Sequence, residues 1–154
     1  MNIEYAGNHY KDQADLDKFM FMNAMPEAMK RVTTAATQAR ALLTGHADHY
    51  KVAGWGQKSI LAQKVVAKTA TTAELAIVTT EAYQRNKKET PLQLAKKQLG
   101  KAGQLAIAIA NIDGMETAAL AALKQCETVE QIEALLTQLD GKATAKMAAL
   151  TGTS

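Results

Sequence analysis

Apolar residues recur at intervals of three and four along most of the chain, and this spacing is the period of an amphipathic helix. It is clear near the N-terminus, where Leu16, Phe19 and Met20 fall on one face. The longest example lies in residues 90–114, TPLQLAKKQLGKAGQLAIAIANIDG, which contain the almost wholly apolar block LAIAIANI. The pattern predicts that most of the protein is helical.

The first ten residues have a different pattern. NIEY and HYK are short segments of alternating polarity around Ala6, Gly7 and Asn8. Small and polar residues at such a position favour a tight turn between two strands. We therefore expect a short β-hairpin-like arm in front of the first helix.

Three predicted helix starts have a threonine at the capping position: Thr71, Thr90 and Thr128. The first and third are followed three residues later by glutamate or glutamine, the spacing of a capping box, and the second by a proline at the first helical position. Asp140-Gly141 predicts the end of the last of these helices, with KATAKMAALTGTS as a short final helix or a frayed tail.

Two breaks predict how the chain is divided. Pro26 should begin a new helix or kink one, because proline disrupts a helix interior. Residues 44–56, TGHADHYKVAGWG, hold three of the nine glycines and should form a loop or a broken helix. We expect a mainly α protein, an antiparallel helical bundle with the short N-terminal arm. Its parts would be 1–43, an arm and helices able to dock a partner; 44–56, a loop or linker; and 57–154, a helical bundle domain.

Composition narrows the class further. The chain has 154 residues, enough for one compact core, and only 5% of them are aromatic, so alanine and aliphatic residues must supply the packing. The 18 basic and 15 acidic residues are mixed along the chain and leave a net charge of +3, which makes nucleic acid an unlikely partner. The longest apolar block is about eight residues against the roughly 20 that span a bilayer, so no membrane partner is expected.

Candidate chemistry is sparse. Cys126 is the only cysteine, which excludes an intramolecular disulfide and favours a reducing compartment with a structural, half-buried or buried thiol. His46 and His49 flank Asp48 in GHADH and could share a helix face, but the usual zinc spacing is absent and a solvated loop is the better interpretation. No catalytic residue, metal site or cofactor is predicted.

The residue 90–114 segment has a second, small-residue face. Gly100, Gly103, Ile107 and Gly114 follow one another at helical spacing, opposite the aliphatic face. Each interior glycine costs about 0.8–1 kcal/mol relative to alanine, so a closely approaching helix would have to offset the cost. Either another helix of the same bundle lies there, or Asp113-Gly114 ends the helix as a C-cap, or a partner chain docks on Gly100, Gly103 and Ile107.

The methionine-rich stretch FMFMNAMPEAM offers another candidate surface. Methionine fills irregular gaps in cores and also serves adaptable binding surfaces. Core packing is one interpretation of Phe19, Met20, Phe21 and Met25. The other is a docking surface for a partner, provided that the arm and first helix stand away from the bundle.

Residues 55–136 resemble the helical C-terminal domain of phage tail fibre assembly and tail-fibre-associated proteins. The resemblance lies in the order of four segments: WGQKSILAQKVVAKTA, ELAIVTTEAYQRNK, TPLQLAKKQLGKAGQLAIAIANIDGM and CETVEQIEALL. It implies a binding role without catalytic residues. The protein would act in the host cytoplasm during assembly, or in the virion tail.

The resemblance therefore predicts a phage tail-associated helical protein that acts as a tail fibre assembly chaperone or a small tail structural subunit. Its partner would be a phage tail or tail fibre protein, and it could also form a homo-oligomer. The alternative, favoured by the slight basic excess, is a small regulatory or nucleic-acid-binding helical protein of a mobile element. A metal-dependent enzyme using His46 and His49 ranks last.

Overall fold

The protein is mainly α-helical in a computed structural model that describes residues 2–152, apart from the side chains of His49 and Thr151. Helices make up 78% of the structure, so the predicted class, a helical bundle with a small N-terminal β arm, is confirmed. The elements of the described chain are, in order, β1 Ile3–Tyr5, β2 Asn8–Tyr10, α1 Gln13–Leu43, α2 His49–Val66, α3 Thr72–Gln84, α4 Pro91–Leu123 and α5 Val129–Thr151.

The predicted N-terminal arm is present as a hairpin. Its strands pair antiparallel, with Ile3 opposite Tyr10. The turn places Ala6 at φ +50° and Gly7 at φ +77°, and two consecutive positive φ values match the right-handed twist of a two-residue hairpin. Tyr10 is buried, and its ring centroid lies 5.1 Å from that of Phe19 on α1. This contact attaches the arm to the first helix.

The first helix passes through Pro26 without ending there. α1 begins after Asp12, whose Oδ1 accepts a hydrogen bond from the Asp15 backbone N–H, as an N-cap does. Pro26 and Met22, the residue whose carbonyl loses its helical donor, both lie on an exposed face. Water can reach that carbonyl, which is why the helix tolerates the proline. The expected new helix start at Pro26 is therefore wrong.

The predicted loop over 44–56 is much shorter in the structure. Gly45 and His46 take positive φ values in the turn after α1, and α2 then begins at His49. Asp48 is its N-cap, with Oδ1 accepting from the Lys51 backbone N–H at 2.9 Å. The two further glycines of the predicted loop, at 54 and 56, lie inside α2.

The three threonine start signals are confirmed. Thr71 forms a complete capping box with Glu74, and Thr90 and Thr128 each accept a hydrogen bond from the backbone N–H three residues on. The helix end predicted at Asp140-Gly141 is wrong, because α5 continues to Thr151. Its C-cap is Gly152, in the left-handed conformation.

The chain divides into two compact units. We call Met1–Arg40 with Asn111–Ser154 the terminal unit, and Ala41–Ala110 the central unit. This division falls inside α1 and α4, whereas the sequence placed its boundary at 44–56. The terminal unit packs around Ala28, Leu123, Ile132 and Leu136. The central unit has its own core, formed by Leu61, Ala62, Val65, Val78, Ala82, Leu94 and Ala95.

Candidate interaction surface

The four aromatic and methionine residues predicted as a docking surface lie mostly within the terminal unit's own packing. Phe21 and Met25 are half-buried against the core cluster around Leu123. Phe19 is 36% exposed beside Tyr10, and Met20 is half-buried. Met22 is the exposed methionine of this stretch, at 64%. The structure thus gives Phe21 and Met25 the contacts of the core-packing interpretation.

The glycine face of α4 is open. Among the described residues, a Cβ at Gly100, Gly103 or Gly114 would meet nothing within 4 Å beyond the adjoining chain and the helix's own backbone. Within the described part of each unit, no other helix approaches these glycines closely. Gly114 is not a C-cap either, since α4 continues to Leu123. Two of the three explanations for this face are removed, and Ile107 on it is 65% exposed.

The other two helices of the central unit also present uncharged outer faces. On α2, exposed positions with helical spacing are Val52, Gly56, Ile60, Gln63 and Ala67, the last at its C-cap. The α3 face that lies away from the core consists of Ala73, Ala76, Ile77, Thr80 and Gln84. Solvated helix faces usually carry charged side chains.

Exposed apolar side chains concentrate in this unit. In the described chain, ten of the thirteen large apolar residues that are exposed belong to residues 41–110. Each outer face contains one exposed isoleucine, with 50% exposure for Ile60, 55% for Ile77 and 65% for Ile107. We call these three faces, that of α4 taken from Gly100 to Ile107, together the uncharged faces; Lys96 lies one helical turn before Gly100 on the same side of α4.

The two units differ in charge as well. Residues 41–110 contain ten basic and four acidic residues, a net charge of +6. The rest of the chain contains eight basic and eleven acidic residues, a net charge of −3, and the two values give the whole-chain +3. The charges that seemed mixed along the chain are therefore segregated between the units.

Every carboxylate of the central unit is engaged. Asp48 caps α2, Glu74 pairs with Lys64, Glu81 lies 2.9 Å from Lys58 Nζ, and Glu89 contacts both Lys97 and Arg85. The hydrogen bond from Lys64, followed by one from the Thr71 backbone, lowers the pKa of Glu74. The hydrogen bond from Lys97 lowers the pKa of Glu89. These pairs leave the unit's excess positive charge on its remaining lysines.

The groups considered for metal or nucleophilic chemistry do not converge. No group of three or more histidine, cysteine or acidic side chains in the described chain could hold a metal ion. His46 is exposed in the turn after α1, and the side chain of His49 lies outside the described part of the structure. Cys126 is half-buried against the terminal unit's core, with Sγ 3.7 Å from the Ala122 carbonyl oxygen.

The helix α4 is long and apolar enough, by length and composition, to cross a membrane. Its most apolar 18-residue window has a mean hydropathy of 1.3, and 17% of that window is buried. One helix of this length and composition is weak evidence for a membrane span. The expectation of no membrane partner stays a prediction.

The fold and the surface thus define a mainly α-helical protein with two cores and a set of uncharged, exposed helix faces. Comparison with protein-family models, with curated proteins and with solved structures found no match.

Proposed function

We propose that this protein is a phage tail-associated helical protein, acting as a tail fibre assembly chaperone or a small tail structural subunit. The resemblance of residues 55–136 to tail fibre assembly proteins supports the phage context. The uncharged faces support a binding role, and they are the observation that carries the proposal. Exposed isoleucines on three helices of one unit would gain most by burial against a partner.

The proposal moves the binding region from the first helix to the central unit. Phe21 and Met25 already bury much of their surface against the terminal unit's core, so they have less apolar area left to offer. Ile60, Ile77 and Ile107 are at least half exposed. At about 25 cal/mol for each Å² of apolar surface removed from water, they are the better anchors for helix packing.

The glycines of α4 fit the same role. Gly100 and Gly103 leave the backbone of α4 uncovered, so a helix of another chain could approach closely beside Ile107. Small residues at such contacts allow short distances between helix axes, which increases the number of van der Waals contacts. A partner in this position would offset the cost of placing glycine inside a helix.

The test is purification from the native source, with mass spectrometry of the proteins that accompany this one. We expect a tail or tail fibre protein to co-purify, either from infected cells or from finished particles. Recovery in both settings would indicate a structural subunit, and recovery in cells alone would indicate a chaperone. A free protein without any tail component would contradict the proposal.

A second candidate, a small nucleic-acid-binding or regulatory helical protein of a mobile element, is favoured by the net charge of +6 on residues 41–110. The two functions differ in their response to salt. Binding to phosphates weakens steeply as salt is added, whereas burial of apolar faces does not.

A further inference from the structure

One end of the central unit gathers the starts of two helices. Lys58 of α2 pairs with Glu81 of α3, and Lys64, which comes later in α2, pairs with Glu74, which comes earlier in α3. The two helices are therefore antiparallel. Gln98 on α4 donates to the carboxylate of Glu81. Since the link from α3 to α4 is short, α4 also runs antiparallel to α3. The first turns of α2 and α4 therefore lie at the same end as the last turn of α3.

This end is rich in lysines without acidic partners. Lys51 is in the first turn of α2, Lys87 and Lys88 lie in the link before α4, and Lys96 is in the second turn of α4. In the described chain, none of the four lies within 4 Å of a carboxylate. We call these four lysines, with the adjacent starts of α2 and α4, the basic end.

Backbone dipoles add to this charge. The N-terminus of a helix carries a partial positive charge of roughly half an elementary charge, and two helices begin here. The carboxylates nearby are Asp48, which caps α2, and Glu89, which is held by Lys97 and Arg85. Both carboxylates keep their negative charge, and Glu89 also attracts Lys87 through space, but the four lysines outnumber them.

An exposed aromatic ring belongs to the same end. Tyr83, in the last turn of α3, is 80% exposed and precedes Lys87 by four residues. Val52, in the first turn of α2, and Leu92, in the first turn of α4, are 39% and 41% exposed. An exposed ring and lysines at one end of a unit suit single-stranded nucleic acid, because bases stack on aromatic rings while cations contact the phosphate backbone.

We propose that the basic end binds single-stranded nucleic acid, with Lys51, Lys87, Lys88 and Lys96 at the phosphates and the ring of Tyr83 stacked on a base. The interaction is independent of sequence, because lysines on phosphates and a ring on a base do not distinguish one base from another. It rests on the second, nucleic-acid-binding candidate and gives it a site, and it does not depend on Ile60, Ile77 and Ile107, which carry the protein-partner proposal.

The inference departs from the expectation that nucleic acid is an unlikely partner. That expectation used the balance of the whole chain, +3. The central unit alone carries +6, and its acidic residues are occupied in caps and ion pairs. The local charge, and not the total, determines how strongly a surface attracts phosphates.

The experiment measures binding of the full chain to a fluorescent single-stranded DNA of about 20 nucleotides by anisotropy, at several salt concentrations. Each phosphate neutralised contributes about −0.7 to the slope of log K against log salt, so four lysines predict a slope near −3. The variant Lys87→Gln/Lys88→Gln/Lys96→Gln should bind about tenfold or more weakly, with the slope reduced by about 2.

The control carries the same loss of charge in the terminal unit: Lys124→Gln/Lys142→Gln/Lys146→Gln. It should keep most of the affinity. Tyr83→Ala should weaken binding about fivefold or more with the slope unchanged, and Tyr83→Phe should not. Circular dichroism of each variant checks that it is folded.

Three results would overturn the proposal. One is absence of binding at low salt. Another is an equal loss in the terminal-unit control, which would mean that only total charge matters. The third is binding to vesicles with phosphatidylserine or to polyglutamate but not to DNA, which would assign the basic end to an anionic lipid surface or an acidic protein.

Discussion

The terminal and central units are both helical and both have a buried core, but their surfaces differ. The terminal unit joins its helices by ion pairs at exposed or half-exposed positions, Arg40 with Asp113 and Glu116, and Arg31 with Asp140. The central unit leaves three helix faces uncharged and places its spare lysines at one end. Burial explains how each unit folds, whereas the proposed binding role rests on the surface of the central unit.

The largest expected effect tests whether the cores of both units are tightly packed. Leu94 in the central unit and Leu123 in the terminal unit are both 0% exposed. Leu94→Ala and Leu123→Ala should each lower the free energy of unfolding by about 2–5 kcal/mol, through lost burial and the cavity left behind. Urea denaturation measures both. A loss below about 1 kcal/mol for either would mean that its unit is not packed as described.

The next effect compares helix caps in the two units. Thr71→Ala removes the capping box of α3, and Thr128→Ala removes the cap of α5. Each should cost about 0.5–2 kcal/mol, because backbone N–H groups lose their acceptor. Thr79→Ala and Thr137→Ala, mid-helix threonines in the same two helices, serve as controls and should cost less.

A smaller effect on the free energy of unfolding, opposite in sign, is expected at the open glycine face of α4. Gly103→Ala should raise the free energy of unfolding by about 0.8–1 kcal/mol, since alanine favours the helix and a Cβ there meets no other atom. Thermal and urea unfolding of the isolated protein measure it. Gly103→Leu should also fold and should weaken association with a partner on this face. A Gly103→Ala variant that unfolds more easily would show that a neighbouring helix lies against this glycine.

The smallest effect concerns pH. The pKa values of Glu74 and Glu89 are lowered in the folded state, so their pairs stabilise the central unit above the ordinary carboxyl value and lose that contribution as pH falls through the folded values. The melting temperature should fall modestly below about pH 4.5. In Glu74→Gln/Glu89→Gln that fall should be smaller. An unchanged pH profile would mean that the two pairs contribute nothing to stability.

Much of the fold followed from local signals in the sequence. The hairpin and the three threonine caps were predicted because each depends on a few neighbouring residues. The sequence left open whether Pro26 begins a helix or kinks one, because a helix that continues through proline depends on where the Met22 carbonyl faces. The start of α2 was missed because Asp48 had been considered between two histidines, not as a cap.

The candidate surface was only partly predictable. Gly100, Gly103 and Ile107 were identified from their spacing, but whether that face is covered could be decided only by tertiary structure. Docking was one of two interpretations of Phe21 and Met25. The sequence could not decide between them, because their packing against the cluster around Leu123 depends on residues far away in the chain. The charge difference between the units was hidden because the terminal unit combines the two ends of the chain.

The central claim is that the uncharged faces bind a tail protein and that the terminal unit does not. The direct measurement is affinity capture from infected cells with wild-type protein, with Ile60→Gln/Ile77→Gln/Ile107→Gln, and with Met22→Gln as the control in the terminal unit. These substitutions are neutral and leave the basic end unchanged. We predict that the wild type and Met22→Gln recover the same tail protein and that the triple variant, though folded, does not. Equal recovery by all three proteins, or loss with Met22→Gln alone, would contradict the account.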